Sequence, residues 1–139
     1  MIETINNSIT KGAAMESLSP NIFVKDISAT IAFYKILGFE LTMTVPEKGD
    51  YVWAMMTCGG VSIMFQTFAS LGDALPDVSR SNGGSLLLYI KLKNIRAFFA
   101  GVKDKVAVLQ GLEKTFYGAT EFSVKDINGY ILTFAEDEQ

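Results

Sequence analysis

Glu121 is a carboxylate inside a predicted strand near the last hairpin signal of this 139-residue chain, and it stands four residues after Tyr117. If buried there, its pKa would rise and it could act as an acid or base; at a sheet edge it is a solvated charge. The other candidate groups are amides and aromatics. Asn21 and Gln66 each mark a structural hydrogen bond or a wet cavity, because a buried amide without a partner costs roughly 1–3 kcal/mol. Trp53, the single tryptophan, and Tyr89 offer faces on which a planar or cationic molecule could stack, or else they fill core. The chain has no histidine and one cysteine, Cys58. That excludes a Ser-His-Asp triad, a Cys-His pair, zinc sites built on histidine or thiolates, and an intrachain disulfide.

The bulk composition narrows the partners. Apolar residues make up 49% and charged residues 19%, which suits one domain with a real core. A net charge of -3 lacks the basic face that nucleic acid or an anionic membrane would require, and it mildly favours a neutral or cationic small molecule. Met1 to Asn7 has neither a basic start nor an apolar run, so neither a signal peptide nor a membrane span is expected. The cysteine usage fits a reducing, cytoplasmic setting.

These residues need elements to position them. Residues 1–15 read as a loose tail. Asn21 to Val24 is an apolar strand, and Asp26 or Ser28 can cap the helix that follows. Ile27, Ile31, Tyr34 and Leu37 recur at helical spacing, and Gly38 suits the helix's left-handed end. Phe39–Val45, Tyr51–Thr57 and Val61–Thr67 are strands, the last two joined at Gly59-Gly60. Phe68 to Gly84 reads as a linker. The second half repeats the order: strand Ser85–Leu92, a cap at Asn94, a helix through Ile95, Phe98, Phe99 and Val102. The remaining extended segments are Val106–Leu109, Thr115–Tyr117, Glu121–Val124 and Tyr130–Phe134. The repeat is testable by offset. Val24, Asp26, Ile27 and Lys35 fall on Leu92, Asn94, Ile95 and Lys103 at 68 residues; Gly60, Ile63 and Phe65 fall on Gly129, Leu132 and Phe134 at 69.

Three segments carry a resemblance. Ser19 to Ile27 looks like an opening strand with an Asp corner. Ala32-Phe33-Tyr34-Lys35-Ile36-Leu37-Gly38-Phe39 matches the pattern A-F-Y-x-x-L-G-F. Asp126-Ile127-Asn128-Gly129-Tyr130-Ile131-Leu132 is similar to the hairpin D-P-D-G-Y-x-L, departing from it at Ile127 and Asn128. In this order the segments resemble the vicinal-oxygen-chelate superfamily of glyoxalase I, extradiol dioxygenases and bleomycin-resistance proteins, over about residues 16–139. The resemblance implies an α+β fold: two βαβββ modules, about 16–68 and 84–139, forming a cupped mixed β-sheet with helices on the outer face. The motif residues themselves read as architecture.

The resemblance also implies where metal ligands would stand: Ser19 and Leu87 on the first strands, Met64 and Thr133 on the last, with Gln66 in place of Met64 if the register shifts by two. Leucine and thioether sulfur do not serve a hard divalent ion, and neutral hydroxyls serve it poorly. No metal, other cofactor or catalytic residue is therefore expected. The inward positions left are Asn21, Phe23, Trp53, Met64, Gln66, Leu87, Tyr89, Tyr117, Glu121 and Thr133, the composition of a small-molecule pocket. The leading expectation is a metal-independent small-molecule binding protein of the bleomycin-resistance type, working as a homodimer. The alternatives are a glyoxalase-type lyase or isomerase, and an interaction module whose pocket is filled.

Overall fold

Alternation along the strands and a single apolar face on each helix build the same unit twice. The computed structural model describes residues 14–81 and 83–138. Most of the expected tail, residues 1–13, lies outside the described residues; Ala14 and Met15 carry no regular structure. In the first unit β1 (Asn21–Val24) leads into α1 (Ile27–Ile36), then β2 (Glu40–Val45), β3 (Trp53–Cys58) and β4 (Val61–Thr67). A short helix, α2 (Phe68–Leu71), opens the linker. The second unit is β5 (Leu87–Lys91), α3 (Ile95–Val102), β6 (Ala107–Lys114), β7 (Ala119–Lys125) and β8 (Ile131–Asp137).

The strand orders are β1-β4-β3-β2 and β5-β8-β7-β6, each with one parallel pair at the first strand. The registers repeat: Ile22 lies opposite Phe65 and Ile90 opposite Phe134, the offsets of 68 and 69 expected from sequence. The architecture is the expected α+β pair of modules. No ladder joins the two four-stranded sheets among the described residues, so they are two separate hydrogen-bonded sheets.

One face of each sheet takes the core. Ile22, Val24, Ala54, Met56, Ile63 and Phe65 are buried beneath α1, and Phe122, Val124, Leu132 and Phe134 beneath α3. Rings interlock there: Tyr34 lies 4.7 Å from Phe65, and Phe98 4.9 Å from Phe134. The chain ends follow local chemistry. Asp26 accepts from Ala29 N and caps α1, and Gly38 leaves the helix at φ +98, as its type allows.

Two sequence expectations change. Asn94 is in the left-handed region and makes no side-chain cap; Glu136 takes the backbone N–H groups of Asn94 and Ile95 instead. These donors hold its carboxyl below the usual carboxylate range. Thr115–Tyr117 is not a strand, because β6 runs on to Lys114 and the chain turns at Gly118, φ +86. At the end of β8, Asp137 pairs with Lys91 at 3.1 Å and Glu138 bonds Thr120.

The modules meet through buried polar groups. The Tyr34 hydroxyl donates to Asp126 Oδ2 at 2.6 Å. Asp126 Oδ1 accepts from the N–H groups of Asn128 and Tyr130, and Asn128 Nδ2 donates to Thr30 Oγ1. Burial and the nearby carboxylate push the Tyr34 pKa far above the ordinary tyrosine value. Tyr34→Phe removes one donor from an interior carboxylate and is expected to lower stability by about 1.5–3 kcal/mol, seen as a lower urea midpoint at unchanged m. The tyrosine keeps its proton in the folded state beyond the point where the unfolded chain, near pH 10, releases it. Its contribution is therefore complete below about pH 10 and is lost as pH rises above that. The wild-type advantage over Tyr34→Phe should narrow in that window; equal midpoints at neutral pH would refute the assignment.

Candidate functional site

The sheet faces turned away from the helices are open. On the first sheet the register sets Asn21, Met64, Met55 and Met43 in one row and Phe23, Gln66, Trp53 and Val45 in the next. Asn21, Met43 and Val45 are exposed and the others half-buried. Asn21 Nδ2 donates to Gln66 Oε1 at 3.0 Å, and Gln66 Nε2 donates to Ser70 Oγ at 3.2 Å. The amides thus orient each other, and α2 supplies the third member. The Phe23 ring packs 6.2 Å from Phe68 of the same short helix.

On the second sheet the corresponding face carries a gripped carboxylate. Tyr89 on β5 donates to Glu121 Oε2 at 2.5 Å, and Tyr117, in the turn before β7, donates to the same oxygen at 2.6 Å. Both phenols donate to that one oxygen, so Glu121 is the acceptor in each bond. The hydrogen bond to Glu121 is the main cause that raises the pKa of each tyrosine, with desolvation adding to it. Neither phenol can therefore serve as a general base near neutral pH; each can donate a hydrogen bond or present its ring. Oε1 of Glu121 has no hydrogen-bond partner among the described residues. In the neighbouring row Thr133 is buried and shares a 2.8 Å hydrogen bond with Ser123, while Leu87 is 51% exposed.

All ten positions singled out from sequence lie on these faces or at their margin, divided between the two sheets. Asn21, Phe23, Trp53, Met64 and Gln66 gather on the first; Leu87, Tyr89, Tyr117, Glu121 and Thr133 on the second. The sequence reading expected Glu121 beside the closing hairpin but not its two phenol donors. The sequence reading began this strand at Tyr51, but β3 begins at Trp53 and Tyr51 packs against the core. It missed Met43, because a bulge between Leu41 and Met43 resets the alternation on β2. It also missed Ser123, which the register of β7 on β8 sets opposite Thr133.

The donor set does not fit a metal ion. Leu87 has no ligating atom, the Thr133 hydroxyl is engaged with Ser123, and Met64 offers only a thioether. Among the described residues no three His, Cys, Asp or Glu side chains come together in a way that could hold one. No helix there is long and apolar enough to cross a membrane.

Known proteins share this architecture. TioX from Micromonospora sp. ML1 superposes with a TM-score of 0.71 at 16% identity, covering 88% of this chain and 99% of its own. A protein of unknown function from Agrobacterium tumefaciens str. C58 gives 0.72 at 22% identity over 89% and 95%. A bleomycin-binding protein complexed with bleomycin gives 0.63 at 20% identity over 89% and 100%. No curated protein sequence matches the chain. The family model for the Glyoxalase/Bleomycin resistance protein/Dioxygenase superfamily matches residues 16–134. With its duplicated unit and that match over most of its length, the chain belongs to the glyoxalase/bleomycin resistance protein/dioxygenase superfamily.

Proposed function

We propose that this protein binds a small organic molecule, planar in part and cationic, without using a metal, and that it does so as a homodimer in a reducing, cytoplasmic setting. The observation that carries the reading is the pair of chemically distinct open faces. One offers Trp53 and Phe23 with an amide pair, the other a carboxylate held by two phenols. Aromatic faces attract cations by roughly 0.5–2 kcal/mol, and a carboxylate with one uncommitted oxygen adds a charge-assisted hydrogen bond. The bleomycin complex of a fold relative supports a small-molecule ligand for the family's binding branch. The lyase reading requires an ion to stabilise a developing enolate, and among the described residues no donor set fits one. A filled interaction module would bury its inward side chains, whereas Tyr89 is 47% exposed.

Three outcomes are expected. Elemental analysis of protein purified without chelators should find well below one zinc, nickel, iron or manganese ion per chain; a full equivalent would overturn the metal-free reading.

A thermal-shift screen of planar cationic antibiotics should find a stabiliser, since ligand at 100 times its Kd adds about 2.7 kcal/mol. Its titration should quench Trp53 emission, Trp53→Ala should cost about 1 kcal/mol or more of binding, and Glu121→Gln should weaken a cationic ligand more than its neutral analogue. Emission indifferent to every ligand and to a soluble quencher would remove Trp53 from the site.

Open sheet faces and exposed Leu86, Leu87 and Leu109 suit burial against a second copy. Sedimentation at micromolar concentration should give a dimer, and a clean monomer would count against it.

A further inference from the structure

The internal repeat allows one junction of the molecule to be compared with its counterpart. In the first, α1 meets the β7–β8 hairpin, and the space is filled by Phe33, Tyr34 and Tyr130, all buried. Tyr34 bonds Asp126, and the Tyr130 hydroxyl bonds the Phe23 carbonyl at 3.1 Å. The offsets of 68 and 69 map these three rings onto Gly101, Val102 and Val61. Asp126 maps onto Thr57, and Phe23 onto Lys91. The counterpart junction, where α3 meets the β3–β4 hairpin, has thus lost three rings and its polar tie.

A cavity of about 560 Å³ occupies that place. Gly101, Val102, Val61 and Lys91 all line it, with Phe98 and Phe134 behind them. The register supports the correspondence: Phe134 stands where Phe65 stands under Tyr34. A Cβ built on Gly101 meets nothing within 4 Å, so the gap reaches the helix backbone itself. Exposed Ile36 and Cys58 also line the cavity and mark its mouth.

We propose that this junction is a second ligand site, separate from the open sheet faces, and that it takes an uncharged, ring-containing apolar molecule. Its size is that of sites for drug-sized ligands, which range over about 300–1,000 Å³. Its missing contents, judged from the filled junction, are aromatic rings. Lys91 is the one charged residue along it, and its ammonium is already paired with Asp137 at 3.1 Å, so the lining presents no free charge to attract an ion. Burial of apolar surface is then the driving force, and a charged ligand would lose solvation without compensation.

The neutral fluorescent probe N-phenyl-1-naphthylamine tests this on the full chain. Saturable binding at one probe per chain is expected. Gly101→Phe and Val102→Tyr restore two of the missing rings and should each weaken the probe at least tenfold while circular dichroism and urea midpoint stay native or improve. Val61→Tyr fills the space from the opposite wall and serves if a helix variant does not fold. Saturating probe should slow alkylation of Cys58 by iodoacetamide at least threefold. Trp53→Ala, on the open face, distinguishes the two sites: probe affinity is expected to stay within twofold. Absence of saturable binding, equal affinity in the filled variants, or loss of the probe in Trp53→Ala would each overturn the proposal. Probe binding that vanishes as the chain self-associates would do so as well, by giving the cavity to an interface between copies.

Discussion

Between α1 and the last hairpin, a carboxylate sits 4% exposed with three donors around it. A polar group tolerates such a place only when hydrogen bonds replace its water. Asp126 meets that condition with two backbone N–H groups of its own hairpin and one hydroxyl from 92 residues away. The local pair shapes the turn; the distant one ties the modules together. Asn128 repeats the pattern, with its amide on Thr30 Oγ1, while that hydroxyl donates to the Asp26 carbonyl at the start of α1. No buried side-chain nitrogen or oxygen among the described residues lacks a partner, so the tie between modules leaves no orphaned group behind it.

With the helices committed to one face of each sheet, the opposite faces follow from the period of two along a strand. A residue buried at Ile22, Phe65 or Ala54 obliges its neighbours Phe23, Gln66 and Trp53 to face the other way. The same logic in the second module brings Tyr89, Thr133 and Ser123 into one row and leaves Glu121 one row on, beside Ala135. The candidate site is therefore a by-product of core formation. Its positions are rigid because the strands are rigid, and their chemistry is free to vary because the core does not need them.

This explains which features were legible in the sequence. Alternation and helical spacing report burial, so the elements, the repeat and the faces of Asn21, Trp53, Tyr89 and Glu121 could be read from residue order. Glycine at positive φ is equally local, as at Gly38 and Gly129. What was illegible depends on groups distant in sequence. Nothing near Asn94 announces that Glu136 will cap α3 from 42 residues away. Nothing near Glu121 announces Tyr89, 32 residues earlier. Tyr34 was readable as a ring that seats a helix, but its hydroxyl has meaning only once the last hairpin is beside it. The bulge on β2 hid Met43 for a different reason: one extra residue inverts the alternation beyond it, and no residue type there signals it.

A duplicated unit also sets up an internal control that a single module lacks. Equivalent backbone positions face equivalent surroundings, so a difference between them is a difference in side chains alone. Where the first module's helix carries Phe33 and Tyr34, the second carries Gly101 and Val102 on the same turn of a helix with the same register beneath it. Gly is among the poorest helix formers, and its presence in α3 costs up to about 1 kcal/mol relative to alanine. Loss of ring packing would add to that cost. The fold tolerates it because the Tyr34–Asp126 junction on the other side already holds the modules together. One tight junction suffices for cohesion, and that releases its counterpart from a structural role. The open sheet faces gained their freedom in the same way, by lying where the core makes no demand.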